Sequence, residues 1–424
     1  MLTHFTTTII MSRFLRDDDE DLLIIYHVFS QRKKKRRIKW MHDRLDWNDH
    51  VEKLRHTKTF ESKLRMKESA FDELVDLLRP AIAVDEKRSV AGSNGNDPIY
   101  PEMMLSIGLR WLAGEVEKSL DEIHRVSFGT THRIVSRFLF AVNTCESLAI
   151  RLPTTDEELK KVADGFDKVS SAGGLFYGVV GCIDGWLCTH NAPKGVRNPL
   201  DYFNGHYQCM GTKVQAICDA QLRFIYVAFA APGKTNDVQA FRKLDSLHSW
   251  QQEIVSRHGP KYFLLGDNAY TLNDSLLIPY SGASRRDKQK DSFNFFLSEQ
   301  RIRIEMTFGL LSSKWRIFRR KTEYQMTKVR DMVNAATRLH NFIIDCQIAS
   351  GDYSFLSPDE ETNPMTDEPS LLGYFPTTNE ALQALEQQQG TSPRREYIKQ
   401  ELAVLGLERP QYNIERNSMN VAAV

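Results

Sequence analysis

Nothing in this sequence is apolar for long enough to cross a bilayer. The longest early stretch, LLIIYHVF at Leu22 to Phe29, follows directly on the acidic run Asp17 to Asp21 and is far shorter than the ~20 residues a spanning helix needs. A cleavable leader with a basic start, an apolar middle and a small-residue cleavage site is also missing. Cysteine is scarce. Cys145, Cys182, Cys188, Cys209, Cys218 and Cys346 lie apart with no CxxC pair, which argues against a zinc knuckle or a dithiol redox motif and for reduced core residues in an intracellular protein. Net charge is lacking too. With 56 Lys and Arg against 55 Asp and Glu the formal charge is only +1, so global electrostatics do not mark a nucleic-acid binder. What remains is 424 residues, 41% hydrophobic and 10% aromatic, enough for one large core or two modest ones with tails.

Charge is present in patches. Residues 351–424 carry 12 acidic against 5 basic side chains, a balance of −7 that leaves +8 on the rest. The opening arm, residues 1–50, contains RKKKRRIK at Arg32 to Lys39, seven cations in eight residues. Such a run suits a nuclear import signal or a phosphate-binding arm, with a solvated helix face as the plain alternative.

From 51 to 152 the pattern is helical. Phe71, Leu74, Leu77 and Leu78 form one stripe and Leu105, Leu109 and Leu112 another, separated by a polar break at Val90 to Asp97. In SLDEIHRVSFGTTHRIVSRFLFAV a short helix from Leu120 stops near Gly129 and a longer one starts at Thr130 or Thr131. That is the outline of a helix-turn-helix. It turns Thr131, His132, Arg133 and Arg137 outward, with Arg133 and Arg137 as DNA contacts, and packs Ile134, Val135 and Phe138 inward. A purely structural helical pair has the same outline. Residues 153–172 are polar and read as a linker with one helical turn.

The texture then changes to strands across 173–349. LFYGVVGCID (Leu175 to Asp184) is continuously apolar, as for a strand covered on both faces. LCTH, TKVQAICD and RFIYVAFA follow, the last two joined by the turn DAQL; a helix over Asp237 to Leu247, the strand KYFLLGD and a long helix from Phe296 to Trp315 complete the pattern. The order implies an α/β fold, a mixed sheet flanked by helices. Residues 350–424 read as an acidic, largely disordered tail with one helix near Arg394 to Leu405.

Topology decides which acids can meet. If the long strands are antiparallel neighbours and KYFLLGD runs parallel to the first, Asp184, Asp237 and Asp267 end on one edge. Asp219 falls at the other edge, as a turn residue. Glu305 borders the buried stripe of the long helix, and Gly309 lets that helix approach the sheet. Carboxylates so placed are costly unless a hard divalent cation satisfies them, and a pair of such ions serves phosphodiester cleavage. Taken singly each acid has a plainer reading: Asp184 and Asp267 as turn formers, Asp237 as a helix start, Glu305 as a partner of Arg301.

The blocks GVVGCIDGWLCTHNAP, DYFNGHYQCMGTKVQAICDAQLRFIYV, APGKTNDVQAF, LLGDNAYTL, IRIEMTFGLLSSKWRIF and LHNF, in this order over Leu175 to Ile344, resemble the Harbinger-type DDE transposases and their domesticated nuclease relatives. The resemblance implies an RNase H-like catalytic fold and a DDE triad of Asp184, Asp267 and Glu305 binding Mg²⁺ or Mn²⁺, with 37 residues between the last two. Asp237 remains a rival or auxiliary metal ligand. The chain departs from the pattern at Trp186, Leu187 and Asn236, which leaves the carboxylates intact. The resemblance further implies DNA as substrate, a Myb-like DNA-binding partner and action in the nucleus; a homo-oligomer is compatible with it.

Around the acids lie Lys234, Arg285, Arg286, Arg301, Arg303, Lys314 and Arg316, cations that would hold phosphates. Tyr270 and Trp315 read as core aromatics, and His190, His206 and His340 as structural residues. Two functions follow: a metal-dependent transposase or transposase-derived endonuclease, and a domesticated DNA-binding or scaffold protein whose catalysis has lapsed.

Overall fold

The computed structural model describes residues 44–85, 87, 98–281, 287–356 and 392–410. The cationic run at 32–39 and the pair Arg285 and Arg286 lie outside the described residues.

The first helices are α1 (Trp47–His56), α2 (Phe60–Leu64), α3 (Glu68–Ile82), α4 (Pro101–Leu112), α5 (Glu117–His124) and α6 (Phe128–Thr144). Their apolar stripes meet in one core: Phe71, Leu74 and Leu78 of α3, Leu105, Leu109 and Leu112 of α4, and Ile134, Val135 and Phe138 of α6 are all buried. Gly108 makes the α4–α6 contact close, because a Cβ there would lie within the Phe138 ring.

Two expectations for this region are corrected. The break between α5 and α6 falls at Arg125, which adopts a left-handed conformation (φ 51°), and α6 begins at Phe128 with Ser127 as its N-cap, so Gly129 is inside the helix. Thr131 is fully buried and its hydroxyl donates to Asp121, so it is no part of an outward face.

Residues 153–172 are not a spacer. They form α7 (Asp156–Val169), started by a complete capping box between Thr155 and Glu158 and packed on the first strand through Leu159, Ala163 and Phe166. Polar residues line its outer side, which is why the segment reads as a linker in sequence.

The sheet contains β1 (Val179–Thr189), β2 (Phe203–Asn204), β3 (Cys209–Cys218), β4 (Phe224–Pro232), β5 (Phe263–Leu265) and β6 (Leu276–Leu277). The order is β2-β3-β1-β5-β6, with β4 on β3. β1, β3 and β4 are antiparallel neighbours, whereas β5 runs parallel to β1, as a crossover connection requires. LCTH is the continuation of β1, not a strand of its own. That crossover carries α8 (Asp237–Phe241) and α9 (Asp245–His258); α10 (Lys288–Lys314) and α11 (Met326–Ala349) follow β6. None of the described helices is long and apolar enough to cross a membrane.

Part of the tail is ordered by aromatic and ionic contacts. In α12 (Pro393–Val404) Arg394 lies 4.0 Å over the ring of Phe263 and Arg395 4.1 Å over that of Tyr280, whose hydroxyl donates to Glu396 at 2.7 Å. Arg409 pairs with Asp291 of α10 at 3.1 Å.

The α4–α6 contact has no spare volume. Gly108→Ala is expected to lower unfolding stability by about 1–3 kcal/mol through overpacking against Phe138, measured by chemical denaturation. A change within about 0.5 kcal/mol, the range of surface substitutions, would contradict this packing.

Candidate active site

Asp184 sits in the middle of β1, opposite Ala216 of β3, and not at a strand end. The parallel register pairs Cys182 with Leu265, the last residue of β5, so Asp267 lies two residues beyond the end of that strand, close enough for its charge to act on Asp184 in neighbouring β1. Side chains alternate across a strand. Cys182 faces α10, where its Sγ lies 3.4 Å from the Gln300 carbonyl, and Trp186 packs on Phe308 of α10 and on Phe318. Asp184, between them in the same alternation, therefore faces α10 as well.

What it meets there is Arg301. The guanidinium is 2.6 Å from Glu305, one turn further along α10, and 3.8 Å from Asp184. Side-chain exposure is 22% for Asp184 and 19% for Arg301 but 49% for Glu305. Glu305 is thus more exposed than a position bordering the core would be. Gly309 has no neighbour that a Cβ would meet, so it does not serve a close helix–sheet approach. The glycine that does so is Gly185, whose Cβ would fall 2.5 Å from Asp237 Oδ1 and 2.8 Å from Gln215 Nε2.

That contact assigns Asp237 to the other face of β1. There Lys213 Nζ holds both Asp237 oxygens, at 3.0 and 3.1 Å, and Gln215 Nε2 donates to Oδ1 at 3.2 Å. The hydroxyl of buried Tyr270 donates to Gln215 Oε1 at 2.5 Å, and Asn236, the N-cap of α8, fixes the start of that helix. Lys213 and Gln215 were not singled out in sequence. Their signal is the alternation in TKVQ, which sends both to the side of the sheet where Gly185 leaves room.

The acids also act on one another through their charges. Burial raises the carboxyl pKa of Asp184, and the charge of Asp267 adds to it; Arg301 and the Gly185 amide, 2.7 Å from Oδ1, oppose the rise. Asp267 is also raised, chiefly by burial and in part by the charge of Asp237, against the pull of Arg301, of the Ala269 amide at 2.9 Å and of Lys213. The two titrate as a pair.

The remaining expected residues divide into exposed ones and ones that hold the protein's own backbone or carboxylates. Arg133, Lys234 and Arg316 are exposed. Arg137 instead donates to the carbonyls of Ala81 (3.2 Å) and Ala83 (2.6 Å) at the end of α3, and Arg303 donates to the Ala220 carbonyl at 3.0 Å. With Arg301 they hold the protein's own groups. His190 bonds Thr212 at 2.9 Å, and His340, buried and pushed down to about 4, bonds the Leu222 carbonyl at 2.8 Å. Asp219 accepts from its own turn and from Arg223. Among the described residues no three His, Cys, Asp or Glu side chains converge closely enough to hold a metal ion as they stand.

Residues 183–341 match the family model described as DDE superfamily endonuclease. No curated protein and no solved structure matches the chain. The matched segment opens one residue before Asp184, contains Asp237, Asp267 and Glu305, and supports a transposase-type DDE family.

Raised carboxyl pKa values mean that the folded chain binds protons more tightly than the unfolded chain does. Metal-free stability is therefore expected to fall as pH rises above the ordinary carboxylate range. Thermal melting in EDTA across that range should show the fall in wild type and a flatter profile in Asp184→Asn. Identical slopes would mean that the Asp184 carboxyl is not raised in the folded chain.

Proposed function

We propose that the chain is a metal-dependent, DNA-cleaving enzyme of the Harbinger type, a transposase or a nuclease derived from one, with Asp184, Asp267 and Glu305 as its metal-binding acids. The observation that supports this reading is that Asp184 in β1, Asp267 just beyond the end of β5 and Glu305 on the facing helix gather around Arg301. The strand order, three antiparallel strands followed by strands parallel to the first, supports an RNase H-like sheet.

The donor set is all carboxylate oxygen, as Mg²⁺ or Mn²⁺ prefers. Burial and mutual repulsion of Asp184 and Asp267 are relieved by a cation. Bound there, a divalent ion would supply an activated water and charge stabilisation at the leaving oxygen. Glu305 is turned to Arg301, so its recruitment requires exchange of that ion pair. Released, Arg301 is a cation beside the reacting phosphate. Asp237 serves as an auxiliary group, because Lys213 and Gln215 already satisfy it on the far face. Exposed Arg133, Lys234 and Arg316 would contact the DNA backbone. Action in the nucleus and a Myb-like partner belong to the same reading.

One observation favours the rival reading, a lapsed enzyme that only binds DNA: the Arg301–Glu305 ion pair occupies the third carboxylate. Cleavage of duplex DNA with Mg²⁺ or Mn²⁺ decides between them. Asp184→Asn and Asp267→Asn should abolish nicking, whereas Asp237→Asn should cost roughly 10–100-fold, as expected for an outer-shell partner. Full activity in Asp267→Asn would sink the assignment, and DNA binding without nicking by wild type would favour the lapsed protein.

A further inference from the structure

Where α10 ends, cations accumulate without ion-pair partners among the described residues. Lys314 closes the helix, Arg316 and Arg319 lie on the 3-10 turn Arg316–Arg319 that follows, and α4 brings α2 beside them: Gly114, just after α4, would place a Cβ 3.2 Å from Arg316 Cβ. Arg65, the C-cap of α2, adopts a left-handed conformation (φ 66°) there. Among the described residues none of these four cations has an ion-pair partner, and the Nε of Arg65 is buried with no hydrogen bond at all. The only side-chain bond in the group runs from Arg319 Nε to the Ser312 carbonyl, at 3.3 Å. Of the nearby acids, Glu115 is held by Arg110 at 2.9 Å and Asp352 by Lys67 at 2.8 Å, and Glu61 of α2 acts on Lys314 through its charge without forming an ion pair.

Burial outweighs the charge of the nearby acids. Lys314 is pushed down to about 8, chiefly by burial, and Arg65 is lowered by burial and then by the facing Arg316. A fold gains nothing from unpaired cations brought together; a polyanion that completes them does.

We infer that Arg65, Lys314, Arg316 and Arg319 form a phosphate cradle, separate from the catalytic carboxylates, that grips the sugar–phosphate backbone of duplex DNA. Arginine forks match phosphate oxygens in pairs. Glu305 and Lys314 share α10, which rises roughly 1.5 Å per residue, so the cradle lies about 13 Å along the helix from the proposed third acid. A duplex bound at the carboxylates would reach it. The choice of DNA as the polyanion rests on the function proposed above.

The test needs no cleavage. Binding of a fluorescent random-sequence duplex to the full chain, without divalent metal, is followed by anisotropy over a salt series. The double variant Arg316→Ala/Arg319→Ala, both positions exposed, should bind several-fold more weakly and show a salt slope smaller by about 0.9 per lost phosphate contact. Lys160→Ala, an exposed cation on α7, should leave the slope unchanged. Arg65→Gln should repeat the effect, and if it fails to fold the exposed pair alone decides. Unchanged affinity and slope in a folded double variant would overturn the cradle, as would loss of polyglutamate binding with DNA affinity intact. Because wild-type nicking is measured separately, failure of the catalytic reading is distinguishable from failure of the cradle.

Discussion

Two half-buried carboxylates, one in the middle of β1 and one just past the end of the parallel strand β5, need a positive neighbour, and Arg301 is that neighbour. Its guanidinium lies between Asp184 and Glu305 and counters the rise that burial imposes on Asp184 and Asp267. Much of the architecture serves this arrangement. β1 is long and apolar because it is covered on both faces, α10 must lie along the Cys182–Asp184–Trp186 side, and the crossover through α8 and α9 is what returns β5 parallel to β1. A metal-free chain and a cation-loaded one would then differ first at a single ion pair.

The reverse face of β1 has its own logic. Lys213, Gln215 and Tyr270 form a chain of donors around Asp237, and Gly185 leaves the space it occupies. Three acids beside one sheet thus fall into two environments. Asp184 and Asp267 repel each other in a low-dielectric setting, whereas Asp237 is neutralised by a lysine it touches. Such division of like groups by environment is how one site separates ligands from supports.

Much of the sheet was legible in the sequence because period and punctuation agree there: continuous apolar runs, a turn at Asp219 and a helix start at Asp237. The failures have physical causes. A buried strand that carries Asp184 and Gly185 in its middle looks like two strands broken by a turn, although Gly185 is there for space and not for a bend. The helix at Asp156–Val169 is polar on its solvent side, so composition disguised it as a linker. Arg125, a non-glycine residue in a left-handed conformation, ends α5 where no glycine marks the stop. Which cations are free was least legible, since Arg137, Arg301 and Arg303 differ from Arg133 and Arg316 only in what tertiary structure brings to them.

The central claim is that Asp184 and Asp267 are a metal-ready pair restrained by Arg301. Titration of the full chain with Mn²⁺, followed by the loss of the free-ion electron paramagnetic resonance signal, tests it most directly. Saturable binding in wild type that is lost in Asp184→Asn and retained in Asp237→Asn is the predicted result. Equal binding by wild type and Asp184→Asn, or loss only in Asp237→Asn, would contradict it.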